Sequence, residues 1–235
     1  MIYISRRKAF VASLFIIMII TSFLFPYKKI PVFSHSANKC IVLDPGHGFP
    51  DGGAVGINKS IESTLNLKIA LLTKNMLQKK GYTVIMTRSD ENSIWEQGTT
   101  ISEKKKSDMH RRLEIINTSD ADMFISIHLN KFSDTKYQGA QVLYSKNFVQ
   151  SQILAESIQK ELCLLKENIK KRSHLKAPKG LFLMENARIP AVIVECGFLS
   201  NAAEEELLNT KDYQKSLAKA IVSGIEKYYR KAENL

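Results

Sequence analysis

The chain has 235 residues, of which 44% are hydrophobic and 24% charged, so it holds one sizeable domain, because two domains would have small cores. Its formal net charge is +11. Its three cysteines are odd in number and lack metal-site spacing, which argues against a disulfide framework.

The chain begins with a basic stretch followed by an apolar run. Residues 6–8 are all basic, and residues 9–25 are apolar except for two serines and one threonine. This pattern is typical of an export signal. A helix of these seventeen residues would span about 25 Å, which is near the lower limit for crossing a bilayer. The segment is therefore either a cleaved signal or a retained membrane anchor, and the anchor is favoured. We interpret residues 1–38 as signal or anchor with a linker, and residues 39–235 as one domain.

From residue 39 onward, strand-like runs alternate with helical ones, which predicts an α/β domain with a mostly parallel twisted sheet flanked by helices. Six strands are predicted, over residues 40–43, 82–86, 123–127, 139–144, 181–183 and 191–194. Helices are predicted over residues 62–80, 108–117, 149–165 and 210–230, with a further helix capped by Asn201 and Glu204. Residues 89–107 are predicted as a long loop, and residues 166–179 as a basic connection.

Ionisable side chains follow three of the predicted strands. His47 comes shortly after the first strand, His128 directly after the third and Glu195 directly after the last. The carboxyl ends of parallel strands meet at one edge of a sheet, where ligands bind. Glu62 begins the helix after the first strand and is therefore expected at the same edge.

Two histidines and a carboxylate from different elements are a recurrent set of zinc ligands. His47, Glu62 and His128 are therefore predicted to bind Zn²⁺. Glu195 is predicted to be catalytic, taking a proton from water and passing it to the leaving amine. Each residue also has an ordinary structural interpretation, such as a hydrogen-bonded histidine or an acid at a helix N-terminus. The coincidence of four such groups at one edge favours the metal centre.

Neighbouring residues bear on the same site. Gly46 and Gly48 are expected to let the backbone turn sharply around His47. Asp44 is expected either to orient His47 through its second ring nitrogen or to cap the turn. The remaining histidines are not predicted as ligands, and these are His35, His110 and His174.

The motifs that carry these residues resemble those of the zinc-dependent N-acetylmuramoyl-L-alanine amidases of the amidase-3 family. Residues 41–48 (IVLDPGHG) resemble the opening motif, residues 126–130 (SIHLN) the second histidine motif, and residues 195–201 (ECGFLSN) the closing glutamate motif. The resemblance extends from about residue 39 to about residue 230. Four further positions fit the family, namely Thr87, Arg88, Arg112 and Asn117, and three depart from its usual pattern, namely Phe49, Leu129 and Cys196.

The resemblance implies hydrolysis of the amide between the lactyl group of N-acetylmuramic acid and L-alanine in peptidoglycan. It implies the same roles for the four site residues, with zinc as the cofactor and residues 39–235 as the catalytic domain. The sequence contains no wall-binding repeat, and residues 131–139 are too few to hold an added inhibitory helix. In these two respects the chain is most similar to the CwlD-type amidases of spore-cortex formation. The expected location is outside the cytoplasm, anchored or secreted to the wall or forespore intermembrane space. Some members of the family need an activating protein partner, so the resemblance also implies such a partner for this chain.

Two alternatives stay open at this point. One is another zinc amide hydrolase, a peptidase or deacetylase acting on cell-wall material, and the other is a non-catalytic, membrane-tethered wall-binding protein. Outside residues 1–35 the net charge is +6, which suits contact with an anionic polymer or simply a soluble basic surface. Export and scattered basic residues argue against nucleic acid as the partner.

Overall fold

The computed structural model of the protein describes residues 39–165 and 172–232. The predicted signal or anchor segment over residues 1–38, including His35, lies outside the described residues, as does part of the basic connection, residues 166–171. Within the described ranges, no helix combines the length and apolarity that a membrane crossing requires.

The described residues form an α/β domain, as the sequence predicts. Its strands are β1 (Cys40–Pro45), β2 (Thr83–Met86), β3 (Met123–Asn130), β4 (Gln141–Tyr144), β5 (Leu175–Lys176) and β6 (Ala191–Phe198). Its helices are α1 (Glu62–Lys79), α2 (Ile101–Thr118), α3 (Val149–Leu162), α4 (Phe182–Asn186), α5 (Ala202–Leu208) and α6 (Lys211–Ala232).

The strands make one sheet in the order β2-β1-β3-β6-β4-β5. Only the β4–β6 pair is antiparallel among the described strand pairs, which confirms the predicted mostly parallel sheet. Strands β1, β3 and β6 lie in its middle and are almost wholly buried, because helices cover both faces.

Alternating side chains of the central strands divide the core into two clusters. In β1, Ile41 and Leu43 pack on the face covered by α1, α3 and α6, whereas Val42 packs on the face of α2 and α4. The sheet is thus the middle layer of three. The cysteines are all free, with Cys40 and Cys196 buried in these clusters and Cys163 half-buried.

Helix α2 is longer than predicted and shortens the loop before it. It begins at Ile101, seven residues before the predicted start, because Thr100 and Glu103 form a capping box. The Thr100 hydroxyl accepts a hydrogen bond from the Glu103 amide at 3.2 Å, and the Glu103 carboxylate accepts one from the Thr100 amide at 3.0 Å. The first turns of α2 are mostly exposed and carry no apolar repeat, so hydrophobic spacing did not reveal them.

The strand predicted over residues 181–183 is wrong, because this segment enters the short helix α4 instead. Its apolar run is too short for periodicity to distinguish a strand from a buried helix. Leu183 and Met184 pack into the core from α4. In contrast, β3 and β6 continue past their predicted ends, so His128 and Glu195 lie within strands and not after them.

Candidate metal centre

His47 lies just beyond β1 in an unusual backbone conformation. Its φ is +62°, in the left-handed region that residues other than glycine rarely adopt. The Arg112 guanidinium donates a 2.6 Å hydrogen bond to the His47 carbonyl and so supports this conformation. The Nε2 atom of His47 then lies 3.3 Å from a carboxylate oxygen of Glu62.

Glu62 is the first residue of α1, and its buried carboxylate is held from several sides. One oxygen accepts a hydrogen bond from the Ala54 amide at 2.8 Å, and the other accepts one from the Leu129 amide at 3.1 Å. The Nδ1 atom of His128 lies 3.0 Å from the second oxygen. Although burial works against it, contact with both imidazoles holds the pKa of Glu62 well below its usual range.

The structure therefore brings His47, Glu62 and His128 together, as the sequence predicts. One donor atom from each residue lies within 4.8 Å of the other two, and the two imidazole rings meet edge to face with centroids 5.0 Å apart. Ligands about 2.0–2.2 Å from a tetrahedral zinc ion lie about 3.3–3.6 Å from one another. The contacts of Glu62 with His128 and His47 are of similar length, at 3.0 and 3.3 Å, and each uses a different carboxylate oxygen. The donor set thus fits Zn²⁺.

The charges of the site also favour a cation. Burial lowers the pKa of His47, but its contacts with Asp51 and Glu62 outweigh this effect and raise the pKa to about 9. The imidazole therefore gains positive charge where the carboxylates converge. A bound metal ion would likewise place positive charge next to the carboxylates of Glu62 and Asp51.

Two glycines make room for the clustered side chains. A Cβ atom at Gly46 would lie 2.2 Å from the His128 ring, and one at Gly53 would lie 2.6 Å from the Glu62 carboxylate. The sequence predicted that Gly46 and Gly48 allow a sharp turn. Gly48 does adopt a positive φ of 141°, whereas Gly46 is required for the close approach of His128.

Glu195 lies beside the three clustered residues on β6, in register with His128 on β3. Its Oε2 atom is buried and has no hydrogen-bond partner within the described part of the chain. Burial raises the pKa of Glu195 to about 7, and the Glu62 carboxylate adds to this rise, while the histidines oppose it. A carboxyl group with this pKa can take up and release a proton near neutral pH.

A cavity of about 390 Å³ opens onto these side chains. His47, His128 and Glu195 are among the residues that line it. Its apolar lining comes mainly from β4, β6 and the segment around α4, with Leu143, Leu181, Phe182, Met184 and Ile193. A substrate group can therefore be held against an apolar wall while a polar bond faces Glu195.

Asp44 does not contact the His47 ring, so the first of its two expected roles, the orientation of this histidine, is wrong. Its carboxylate instead accepts hydrogen bonds from Thr87, Ser126 and Arg112 beneath the site. Burial disfavours the charge, but Arg112 and the two hydroxyl groups outweigh it and lower the pKa of Asp44. The network anchors the end of β1, where His47 begins the site.

Asp51 is the site residue that sequence reasoning missed. Its Oδ2 atom lies 3.0 Å from Nδ1 of His47, the ring nitrogen that faces away from Glu62. The available signal was a carboxylate four residues after a predicted histidine ligand, next to two glycines. As expected, the remaining described histidines pack elsewhere, His110 against Phe182 and His174 against Tyr144.

The chain is similar in sequence and fold to several known proteins. Residues 41–227 match the family described as N-acetylmuramoyl-L-alanine amidase. The chain is 37% identical to the germination-specific N-acetylmuramoyl-L-alanine amidase of Bacillus subtilis, over 95% of this chain and 96% of the relative. The CwlD amidase of Clostridioides difficile, solved in complex with the GerS lipoprotein, is similar with a TM-score of 0.78 and 40% identity, over 82% of this chain and 99% of that one. An N-acetylmuramoyl-L-alanine amidase of Clostridium difficile 630 gives a TM-score of 0.72 and 28% identity, over 83% and 98%.

Proposed function

The chain belongs to the N-acetylmuramoyl-L-alanine amidase family, and from this premise we propose that it cleaves the amide between the lactyl group of N-acetylmuramic acid and L-alanine with a zinc ion held by His47, Glu62 and His128. The observation that carries the proposal is the convergence of these three side chains beside Glu195, whose Oε2 atom has no hydrogen-bond partner among the described residues. That arrangement matches a hydrolytic zinc site with three protein ligands and a separate acid–base residue.

The side chains divide into metal donors and a proton carrier. His47, Glu62 and His128 would hold the zinc ion, which would supply a Lewis acid able to polarise the scissile carbonyl and to lower the pKa of water from about 15.7 towards about 7. His47 offers its Nε2 atom, because the opposite ring nitrogen faces Asp51. Glu62 offers a carboxylate already fixed by two backbone amides, so little reorganisation accompanies metal binding.

Glu195 carries the proton in this proposal. Its Oε2 atom is free to accept a proton from the attacking water, since no described group of the protein bonds to it. The pKa of about 7 lets the same atom return the proton to the departing nitrogen of L-alanine. Apolar side chains that include Leu181 and Met184 line the same cavity and limit the water around a bound substrate.

The comparisons support a role in the spore. The B. subtilis relative is named germination-specific, and the C. difficile relative is a CwlD amidase bound to a lipoprotein. We infer that this chain acts on spore-cortex peptidoglycan outside the cytoplasm, that residues 1–38 direct its export or anchor it to the membrane, and that a lipoprotein partner assists it.

The reaction is tested by digesting purified peptidoglycan with the full-length chain, before and after chelation and after zinc is restored. We expect peptides with a free N-terminal L-alanine and glycan with free lactyl carboxylates, identified by mass spectrometry. Released acetate would instead indicate a deacetylase, and cuts inside the stem peptide a peptidase. Binding to peptidoglycan with no cleavage in any metal state would favour a wall-binding protein and contradict the proposal.

A further inference from the structure

We propose that Asp51 is the positioning residue for His47 in the metal centre and that Lys105 of α2 holds Asp51 in place. The inference rests on the proposed function only in taking His47 as a metal donor. It assigns to Asp51 no contact with substrate. Its action passes entirely through the imidazole ring of His47.

The contacts around Asp51 fix both of its carboxylate oxygens. The Oδ2 atom lies 3.0 Å from His47 Nδ1 and 2.9 Å from the Lys105 ammonium, and the Oδ1 atom accepts a 3.2 Å hydrogen bond from the Gly53 amide. The carboxylate therefore has a defined orientation relative to the ring.

The consequence for His47 follows from imidazole chemistry. To bind a metal ion, the imidazole ring must keep a proton on no more than one of its nitrogens. A carboxylate beside Nδ1 accepts a hydrogen bond from that nitrogen and so keeps the proton there, which leaves Nε2 to offer its lone pair to the metal. Nε2 is the nitrogen that lies 3.3 Å from Glu62. Asp51 thus selects the tautomer and the ring orientation that a metal donor requires.

The side chain of Asp51 is not needed to close the loop in which it lies. Two backbone hydrogen bonds already join Gly48 and Asp51, one in each direction, at 2.8 and 2.9 Å. Removal of the carboxylate therefore leaves the turn intact while it frees the His47 ring. This separation lets mutation distinguish a positioning role from a purely structural one.

Lys105 links the site to helix α2. Its side chain is 52% exposed, so its ion pair with Asp51 is screened by solvent and should change zinc affinity by no more than about fivefold. Lys106 is the next residue on the same helix and is also exposed, which makes Lys106→Met a matched control for the loss of one positive charge.

The decisive experiment measures zinc affinity of the full-length chain by competition with a chromophoric chelator. We expect Asp51→Ala to weaken zinc binding by about 10–100-fold, the cost typical of losing such an outer carboxylate. Asp51→Asn should recover part of this loss, since its amide oxygen can still accept from Nδ1. Lys105→Met should show the smaller effect, and Lys106→Met none.

Two further readouts exclude a general structural effect. The metal-free variants should unfold at the temperature of the wild-type protein. In the zinc-loaded wild type, the Nδ1 proton of His47 should give a hydrogen-bonded imidazole resonance by NMR that is absent from Asp51→Ala. Zinc binding by Asp51→Ala within twofold of wild type would overturn the proposal, as would a wild type that binds no zinc. A wild type that binds zinc but cuts no peptidoglycan would refute the proposed function alone.

Discussion

The Asp44 carboxylate is a buried charge that contributes to folding without entering the reaction. Arg112, Ser126 and Thr87 all donate hydrogen bonds to it, and together they hold its pKa below the usual range despite burial. Its ionised form is therefore more favourable in the folded protein than in the unfolded chain. That difference links the stability of the domain to pH.

Replacement of Asp44 by Asn should reduce the acid sensitivity of the fold. An aspartate in an unfolded chain titrates at about pH 3.9, so the stability from Asp44 is present above that pH and disappears as the pH falls through the lower folded pKa. We expect Asp44→Asn to be less stable than wild type at pH 7 but to lose less further stability between pH 4 and pH 2. Urea unfolding across this range measures the effect, and parallel curves for the two proteins would contradict it.

Replacement of Gly46 by Ala should damage the metal centre specifically. The added Cβ would lie 2.2 Å from the His128 ring, so that ring must move from the position in which it contacts Glu62. We expect zinc affinity to fall by about 100-fold or more, since a displaced ligand costs at least as much as a lost outer contact. Gly81→Ala is the control, because a Cβ there meets nothing within 4 Å. Its positive φ should cost about 1–2 kcal/mol of stability and leave zinc binding unchanged.

Particular residues show how much of the site the sequence could reveal. His47, Glu62 and His128 could be found because strand ends and a helix start predict one shared edge. Asp51 could not be assigned in this way, since its role depends on the path of an irregular loop. The sequence leaves two roles open for Asp44, because its position before His47 does not show which side chains approach it from β3 and α2.

Helix α2 stabilises the site through hydrogen bonds and ion pairs made by one arginine. Arg112, near the middle of the helix, bonds to the carboxylates of Asp44 and Asp108 and to the carbonyls of Pro45 and His47. Through one side chain the helix therefore holds the end of β1 and the backbone of a predicted metal donor.

Replacement of Arg112 by Met should be strongly destabilising. Two buried carboxylates would lose their main cation, and breaking such a buried pair typically costs about 3–5 kcal/mol. Arg111→Met provides the matched control on the same helix, since Arg111 pairs with Glu96 and Glu114 at the surface and should contribute less than about 1 kcal/mol. Chemical denaturation of both variants tests this, and equal losses would contradict the stabilising role of Arg112.

The elements differ in how well sequence predicted them. Strand β1 and helix α1 were predicted nearly to their ends, because their apolar patterns are clear. Helix α2 was predicted seven residues too short, since its first turns are stabilised by a cap at Thr100 and not by burial. Helix α4 was predicted as a strand, because its few apolar residues satisfy either geometry.

At the scale of the whole molecule, the parallel sheet explains why the site exists where it does. Strands β1 and β3 run side by side in register and deliver His47 and His128 to the same edge, and α1 returns Glu62 to it. The alternation of strands and helices was enough to predict this architecture. The sequence does not distinguish the antiparallel strand β4 from the parallel strands, because a run of apolar residues does not indicate the direction in which a strand runs.

The N-terminal segment carries a prediction of its own. Residues 1–38 fused ahead of alkaline phosphatase should give phosphatase activity outside the cytoplasm, because the basic stretch and apolar run are typical of an export signal. Replacing the basic residues 6–8 by acidic ones should reduce that activity. Equal activity from both fusions would contradict the role of the basic stretch.

In the proposed mechanism, His47, Glu62 and His128 bind the metal and Glu195 transfers the proton. The variant Glu195→Gln separates these two roles. The measurement is zinc content together with the rate of peptide release from peptidoglycan, with the exposed Glu206→Gln as control. We expect one zinc ion per chain in both variants, a normal rate for Glu206→Gln, and a rate about 10²–10⁴-fold lower for Glu195→Gln. Undiminished release by Glu195→Gln would contradict its role as proton carrier, and loss of its zinc would contradict the assignment of metal binding to the other three residues.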